Sequence, residues 1–214
     1  MSPHDIYQQF FTDIQQTTWL EFIAVFTGIL SVWFSMKENI LVYPSGLVST
    51  IIYIWLSFKS ALLGEASVNF YYTAMSIYGW ILWAKKDKDR QHILHIRFSS
   101  RAEWIRQGAF FSLCYAAVFF SLTYLKKGFA PQAIPWADAF ASGTAYTGMW
   151  LMAKKKVESW YWWIATNLAS IPLYFIKHYV FTSVYYIVLL ILAIFGLAQW
   201  IKRIKQANER SYAG

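Results

Sequence analysis

Apolar runs alternate with short breaks carrying Lys, Pro or Gly, and they mark seven segments: 19–36, 40–58, 62–84, 107–125, 136–153, 160–177 and 182–201. A helix of about 20 apolar residues crosses the hydrocarbon core of a bilayer. The pattern therefore predicts an all-α integral membrane protein with seven transmembrane helices. It is also written twice, because residues 19–86 and 136–203 match at a constant offset of 117. Trp19 pairs with Trp136, Glu21 with Asp138, Ala24 with Ala141, Thr27 with Thr144, Trp33 with Trp150 and Lys37 with Lys154. Further along, Ile54, Leu56 and Phe58 meet Ile171, Leu173 and Phe175, while Gly79 meets Gly196, Trp83 meets Trp200, and Lys85-Lys86 meets Lys202-Arg203. No gap is needed.

Each copy holds three spans, an odd number, so copies joined directly would point in opposite directions. The fourth span, which has no partner in the repeat, restores the first orientation. The expected plan is 3+1+3: two parallel three-helix repeats joined by a linker helix and related by a pseudo-two-fold along the membrane normal. Such internal duplication is a common plan for transporters, with the path between the units. The chain divides accordingly into an extracytoplasmic N-terminal segment (1–18), the first repeat (19–86), a cytoplasmic loop and linker helix (87–135), the second repeat (136–203) and a cytoplasmic tail (204–214). The linker is expected to show Phe110, Phe111, Phe119 and Phe120 to lipid.

Composition agrees, with 57% hydrophobic, 21% aromatic and only 14% charged residues. The formal charge of +8 would suggest nucleic acid, but its placement excludes that reading. Fifteen of the nineteen Lys and Arg fall on the side reached after spans one, three, five and seven, and only Lys59, Lys126, Lys127 and Lys177 on the other. Basic residues concentrate in cytoplasmic loops, so the N-terminus is expected outside and the C-terminus in the cytoplasm. The single Cys114 lies within the fourth span and rules out a disulfide framework.

Polar residues form stripes. In span six Trp163, Asn167, Ser170 and Tyr174 share one helical face. Their repeat counterparts Gly46, Thr50, Tyr53 and Ser57 share another. In span three Asn69, Tyr72, Ser76, Trp80 and Trp83 fall together. Amides and hydroxyls in lipid need partners, supplied by neighbouring helices or a polar ligand. Ser49, Thr50, Ser57 and Ser170 suit helix packing. Asn167, deep in its span between Trp163 and Tyr174, suits a flat, hydrogen-bonding ligand. Trp19, Trp136, Trp150, Trp160 and Trp200 read as interface belt residues. Glu21 and Asp138 suit helix-end stabilisation. Pro44 and Pro172 stand as hinge candidates against static kinks. No Asp, Glu, Lys, Arg or His lies in the middle third of any span, which favours passive uniport over ion-driven pumping. A retinal receptor would need a mid-membrane Lys in the last span, and none precedes Lys202. No metal or cofactor set and no clustered catalytic constellation is present in the sequence.

The run Asn69–Trp83, the Trp136-Ala-Asp138 opening, and the stretch from Lys156 to Asn167 resemble the bacterial nicotinamide riboside transporters of the PnuC family. Tyr78-Gly79-Trp80 and Trp163-x-x-x-Asn167 are the most distinctive pieces, and the similarity runs through nearly the whole chain. That family is similar to the SWEET proteins in its 3+1+3 spans. The resemblance implies facilitated import of nicotinamide riboside across the bacterial cytoplasmic membrane for NAD synthesis, with a cytosolic kinase trapping the product. It implies substrate contacts at Trp163 and Asn167 and a span-three wall of Asn69, Tyr72, Ser76 and Trp80, and the stripe on span six adds Tyr174 two turns above Asn167. Several members carry Gln where this chain has Asn69, and Asn where it has Ser76. Thiamine and riboflavin are the alternative substrates in the broader family, and a homo-oligomer stays open.

Overall fold

A computed structural model of the chain describes residues 3–59, 63–86, 93–129 and 132–213. Among the described residues there are eight α-helices and no strand. They are α1 (Pro3–Gln16), α2 (Trp19–Met36), α3 (Val42–Lys59), α4 (Leu63–Ala84), α5 (Arg101–Phe129), α6 (Pro135–Ala153), α7 (Glu158–Ile176) and α8 (Val180–Ala213). Seven of these coincide with the apolar runs. The addition is α1, whose 14 residues rise about 21 Å. That is too short to cross a hydrocarbon core. Its Phe10 ring packs on Phe181, and Asp13 accepts a hydrogen bond from the Phe181 N–H (3.2 Å), docking α1 on the start of α8.

By length and composition, α2, Arg101–Tyr124 of α5 and Val180–Glu209 of α8 are apolar enough to cross a membrane. α3, α4 and α7 carry the polar stripes, and their buried Ser, Thr and Asn residues lower their hydropathy. Helix starts are fixed locally. Thr18 and Glu21 form a reciprocal capping box on α2. Asp138 accepts from the Ile134 N–H (2.6 Å) and pairs with Lys177 (2.6 Å) at the start of α6. Pro44 sits in the first turn of α3, where its missing N–H breaks no helical bond.

The duplication reappears in the packing. α2, α3 and α4 pack in succession, as do α6, α7 and α8, and α4 packs on α6 as α8 packs on α2. The C-terminal ends of α2, α4, α6 and α8 gather at one end of the bundle. There the Ser35 hydroxyl contacts the sulfur of its own repeat counterpart Met152 (2.8 Å). Trp83 and its counterpart Trp200 touch at 6.4 Å between ring centroids. Glu38 and Lys155, counterparts again, pair at 2.7 Å, and both backbones take left-handed turns (φ 57° and 51°). This end also holds Lys37, Lys154, Lys156 and Arg203 and is called the basic end below.

Two expectations are corrected. Trp160 and Trp200 are not belt residues, since they are 1% and 0% exposed in the core of the basic end. They are held there because Gly196 leaves room for one indole and the Ser35 carbonyl accepts from the other (3.1 Å). Nor does the linker helix show all four phenylalanines outward. Phe110 packs on Trp150 (4.9 Å) and Phe111 on Trp162 (5.2 Å), while Phe120 is exposed. α5 joins the second repeat through Gln107, fully buried, which donates to the Ser99 hydroxyl (2.7 Å) and accepts from the Trp162 indole N–H (3.1 Å).

A candidate ligand site between the repeats

A partly open cavity lies between the two three-helix units. Its lining pairs repeat counterparts across the middle: Val32 with Met149, Ser35 with Met152, Tyr43 with Trp160 and Ser76 with Ala193. Ser31, Val42, Trp163, Asn167 and Leu189 complete it, so among the described residues no Asp, Glu, Lys, Arg or His contributes. The walls are apolar and aromatic with a few polar groups, the usual make-up of a small-molecule site.

Towards the basic end the floor is a four-ring cluster. Tyr43 meets Trp83 edge to face (5.3 Å, 87°), and Trp160 meets Trp200 in the same way (5.5 Å, 88°). Trp83 donates to the Ala153 carbonyl (3.2 Å) and Trp200 to that of Ser35 (3.1 Å), so each indole crosses into the other repeat. Gly79 and Gly196 make this possible. A Cβ at either position would lie 2.5 Å from the ring of Tyr43 or Trp160 respectively.

Symmetry fails at the level where a ligand would bind. Trp163 fills the second repeat, and its counterpart is Gly46. The indole lies against Gly148, whose added Cβ would sit 3.3 Å from the ring, and Tyr72 packs beside it (6.2 Å, 49°). Asn167 is 2% exposed and Ser76 is 3% exposed, and both line the cavity. Among the described residues, neither the Asn167 amide nor the Ser76 hydroxyl has a side-chain hydrogen-bond partner. Each is free to serve a ligand.

Of the residues singled out by sequence, Trp163, Asn167 and Ser76 are brought together on the cavity. Tyr72 supports Trp163 from the side away from the basic end, in a tyrosine layer with Tyr71 and Tyr146. Tyr174 stacks on Tyr186 (5.2 Å, 20°) two turns further from the floor than Asn167. Asn69 is half-buried, nearly two turns before Ser76 on α4, and outside the lining. Trp80 is 40% exposed and does not line the cavity. Sequence reasoning passed over Tyr43 and Trp160. Their signal was present, because Tyr43/Gly79 and Trp160/Gly196 are ring-and-glycine pairs at identical spacing in the two copies. The Tyr43 hydroxyl and the Trp160 indole N–H are buried and without a hydrogen-bond partner among the described residues. A buried polar group without a partner costs about 1–3 kcal/mol.

A family model described as nicotinamide mononucleotide transporter matches residues 18–202. The chain belongs to this family. Within it, the nicotinamide riboside transporter PnuC of Escherichia coli is 21% identical, over 91% of this chain and 90% of that one. The riboflavin/roseoflavin transporter RibM of Streptomyces davaonensis is 23% identical at the same two coverages. A crystal structure of the vitamin B3 transporter PnuC shares the fold, with a TM-score of 0.70, 22% identity, and 94% and 88% of the two chains covered. The family consists of membrane transporters rather than enzymes, and the cavity contains no catalytic constellation among the described residues.

Proposed function

We propose that this chain carries nicotinamide riboside across the cytoplasmic membrane of a bacterium by facilitated diffusion. In this reading α2 to α8 all span the bilayer as 3+1+3, the two repeats stand parallel, the N-terminus is outside, and the basic end faces the cytoplasm. A cytosolic kinase would phosphorylate the arriving riboside and hold it inside.

The observation that carries the reading is the chemistry of the cavity: aromatic, uncharged, and furnished with one free amide. Nicotinamide riboside presents a flat pyridinium cation, a carboxamide and a ribose. The pyridinium suits the faces of Trp163 and Trp160, where a ring–cation contact contributes about 0.5–2 kcal/mol. The Asn167 amide can donate and accept at the carboxamide or the ribose, and Ser76 adds a second hydroxyl contact. Tyr72 keeps Trp163 in place, and Tyr174 and Asn69 belong to the route on the outer side.

The same chemistry argues against a nucleotide, since a phosphate in this lining would meet no cation. It also argues against proton coupling, since among the described residues the lining has no titratable group besides the Tyr43 phenol. Riboflavin is the second reading, supported by the comparable similarity to RibM and by a flat ring system that the same aromatic walls could accept. Purified protein in sealed liposomes, offered labelled nicotinamide riboside, nicotinamide mononucleotide, thiamine and riboflavin in turn, tests the proposal. Equilibration of the riboside alone supports it; equilibration of riboflavin but not the riboside replaces it with the second reading.

A further inference from the structure

A second, partly open pocket lies at the basic end, away from the ligand site. Glu103 and Arg106 from the first turns of α5, Trp150, Leu151 and Lys154 from the end of α6, and Lys156 from the following turn line it. Three cations thus face one carboxylate. That carboxylate is already committed: Lys156, 2% exposed, holds both Glu103 oxygens (2.6 and 2.7 Å), and Arg97 reaches one of them at 3.3 Å. Lys154 and Arg106 have no ion-pair partner among the described residues. Lys154 stands over the Trp150 ring at 4.1 Å, and its desolvation lowers its pKa from the ordinary lysine value. The one carboxylate of this lining is held by Lys156 and acts on Lys154 only at a distance, so the half-buried Lys154 ammonium gains by acquiring a further anion.

The location selects the anion. The pocket lies where α5 begins and α6 ends, with Trp150 in its lining and Trp104 exposed on the first turn of α5, both residues of the type that settles at headgroup depth. At that depth the abundant anion is the phosphate of a lipid headgroup, and clustered Lys and Arg beside spans recognise it. We infer that Arg106 and Lys154, beside the Lys156–Glu103 pair, form a binding site for a phosphate group, supplied by an anionic phospholipid of the surrounding leaflet. The first repeat offers a built-in comparison. Its counterpart of Lys154 is Lys37, over Trp33 at 5.8 Å, but no counterpart of α5 exists to complete a pocket.

The test uses full-length protein and three variants, Arg106→Gln, Lys154→Gln and the control Lys37→Gln. Retained lipid is counted by native mass spectrometry after extraction from vesicles of phosphatidylcholine with one fifth phosphatidylglycerol. Thermal unfolding in detergent is followed with phosphatidylglycerol or with inorganic phosphate. Wild type and Lys37→Gln should retain phosphatidylglycerol selectively, and each pocket variant should bind it about fivefold more weakly. A shift in unfolding with inorganic phosphate as well as the lipid, lost in both pocket variants, keeps the site and assigns it to free phosphate. Equal retention by wild type and both pocket variants, or no preference for phosphatidylglycerol over phosphatidylcholine, overturns the inference. Arg106 is exposed and touches neither the core nor the central cavity, so its variant tests the site without endangering the fold.

Discussion

Glu38 and Lys155 occupy the same position in the two repeats, 117 residues apart, and pair with each other at 2.7 Å. One residue position thus supplies both halves of an ion pair, which identical repeats could not do. Arg203 adds a second bond to Glu38 (2.7 Å) and caps the Lys37 carbonyl (2.8 Å). Together these groups tie the ends of α2, α6 and α8 beneath the four-ring floor.

Removing the carboxylate should therefore loosen the basic end. Glu38→Gln leaves Lys155, whose side chain is 6% exposed, without its anion, a change that costs about 1–3 kcal/mol for a part-buried pair. Thermal unfolding in detergent should fall by several degrees. The charge swap Glu38→Lys with Lys155→Glu should recover only part of the loss, because Arg203 then faces a cation. An unchanged midpoint in Glu38→Gln would show the pair to be ornamental.

The glycines under the floor give a symmetric prediction. Gly79→Ala and Gly196→Ala each drive a methyl to within 2.5 Å of a ring, so each should destabilise by about 1–3 kcal/mol, and by similar amounts. Gly108, with nothing within 4 Å of an added Cβ, should accept Ala without loss. Equal behaviour of all three variants in a thermal scan would refute the close packing.

Tyr43→Phe and Trp160→Phe separate stability from binding. Each removes an unpartnered buried donor while keeping a ring; Tyr43→Phe should leave the ligand-free protein as stable as wild type or more so, whereas Trp160→Phe also leaves a void beside Trp200 and should lose stability. If those atoms serve the ligand, affinity for nicotinamide riboside should fall about fivefold in the same variants. Affinity equal to wild type would assign the two atoms to water instead.

Asn167→Leu is nearly isosteric and deletes the free amide of the cavity. Riboside affinity should fall at least tenfold, at a cost of about 1.5 kcal/mol, with little change in unfolding temperature. Calorimetry on the purified variant checks this, and undiminished binding would remove Asn167 from the site.

Much of this architecture could be read from the residues because a duplication leaves a constant register. Trp83/Trp200 and Gly79/Gly196 sit at one offset whether or not the fold is known, and the bundle places the two rings in contact. The amphipathic α1 was missed because Ile6, Phe10 and Ile14 alternate with Gln, Asp and Thr, and no long apolar run results. The stripe on α7 could be read because Trp163 and Asn167 share one helical face, and both line the cavity. Trp160 was misjudged because a Trp near a span end is equally suited to a headgroup belt and to a core. Only the glycine opposite, distant in sequence, decides between them. Trp80 shows the converse limit, since one helical face of α4 is wide enough to hold both a lining residue, Ser76, and a 40% exposed one.

The central claim is that an uncharged aromatic cavity between the repeats recognises the riboside and rejects its phosphorylated form. Equilibrium titration of purified wild type and Trp163→Ala with nicotinamide riboside and with nicotinamide mononucleotide addresses it directly. The account predicts riboside binding by wild type, mononucleotide binding at least a hundredfold weaker, and loss of riboside binding in Trp163→Ala. Tighter binding of the mononucleotide, or undisturbed riboside binding by Trp163→Ala, would contradict it.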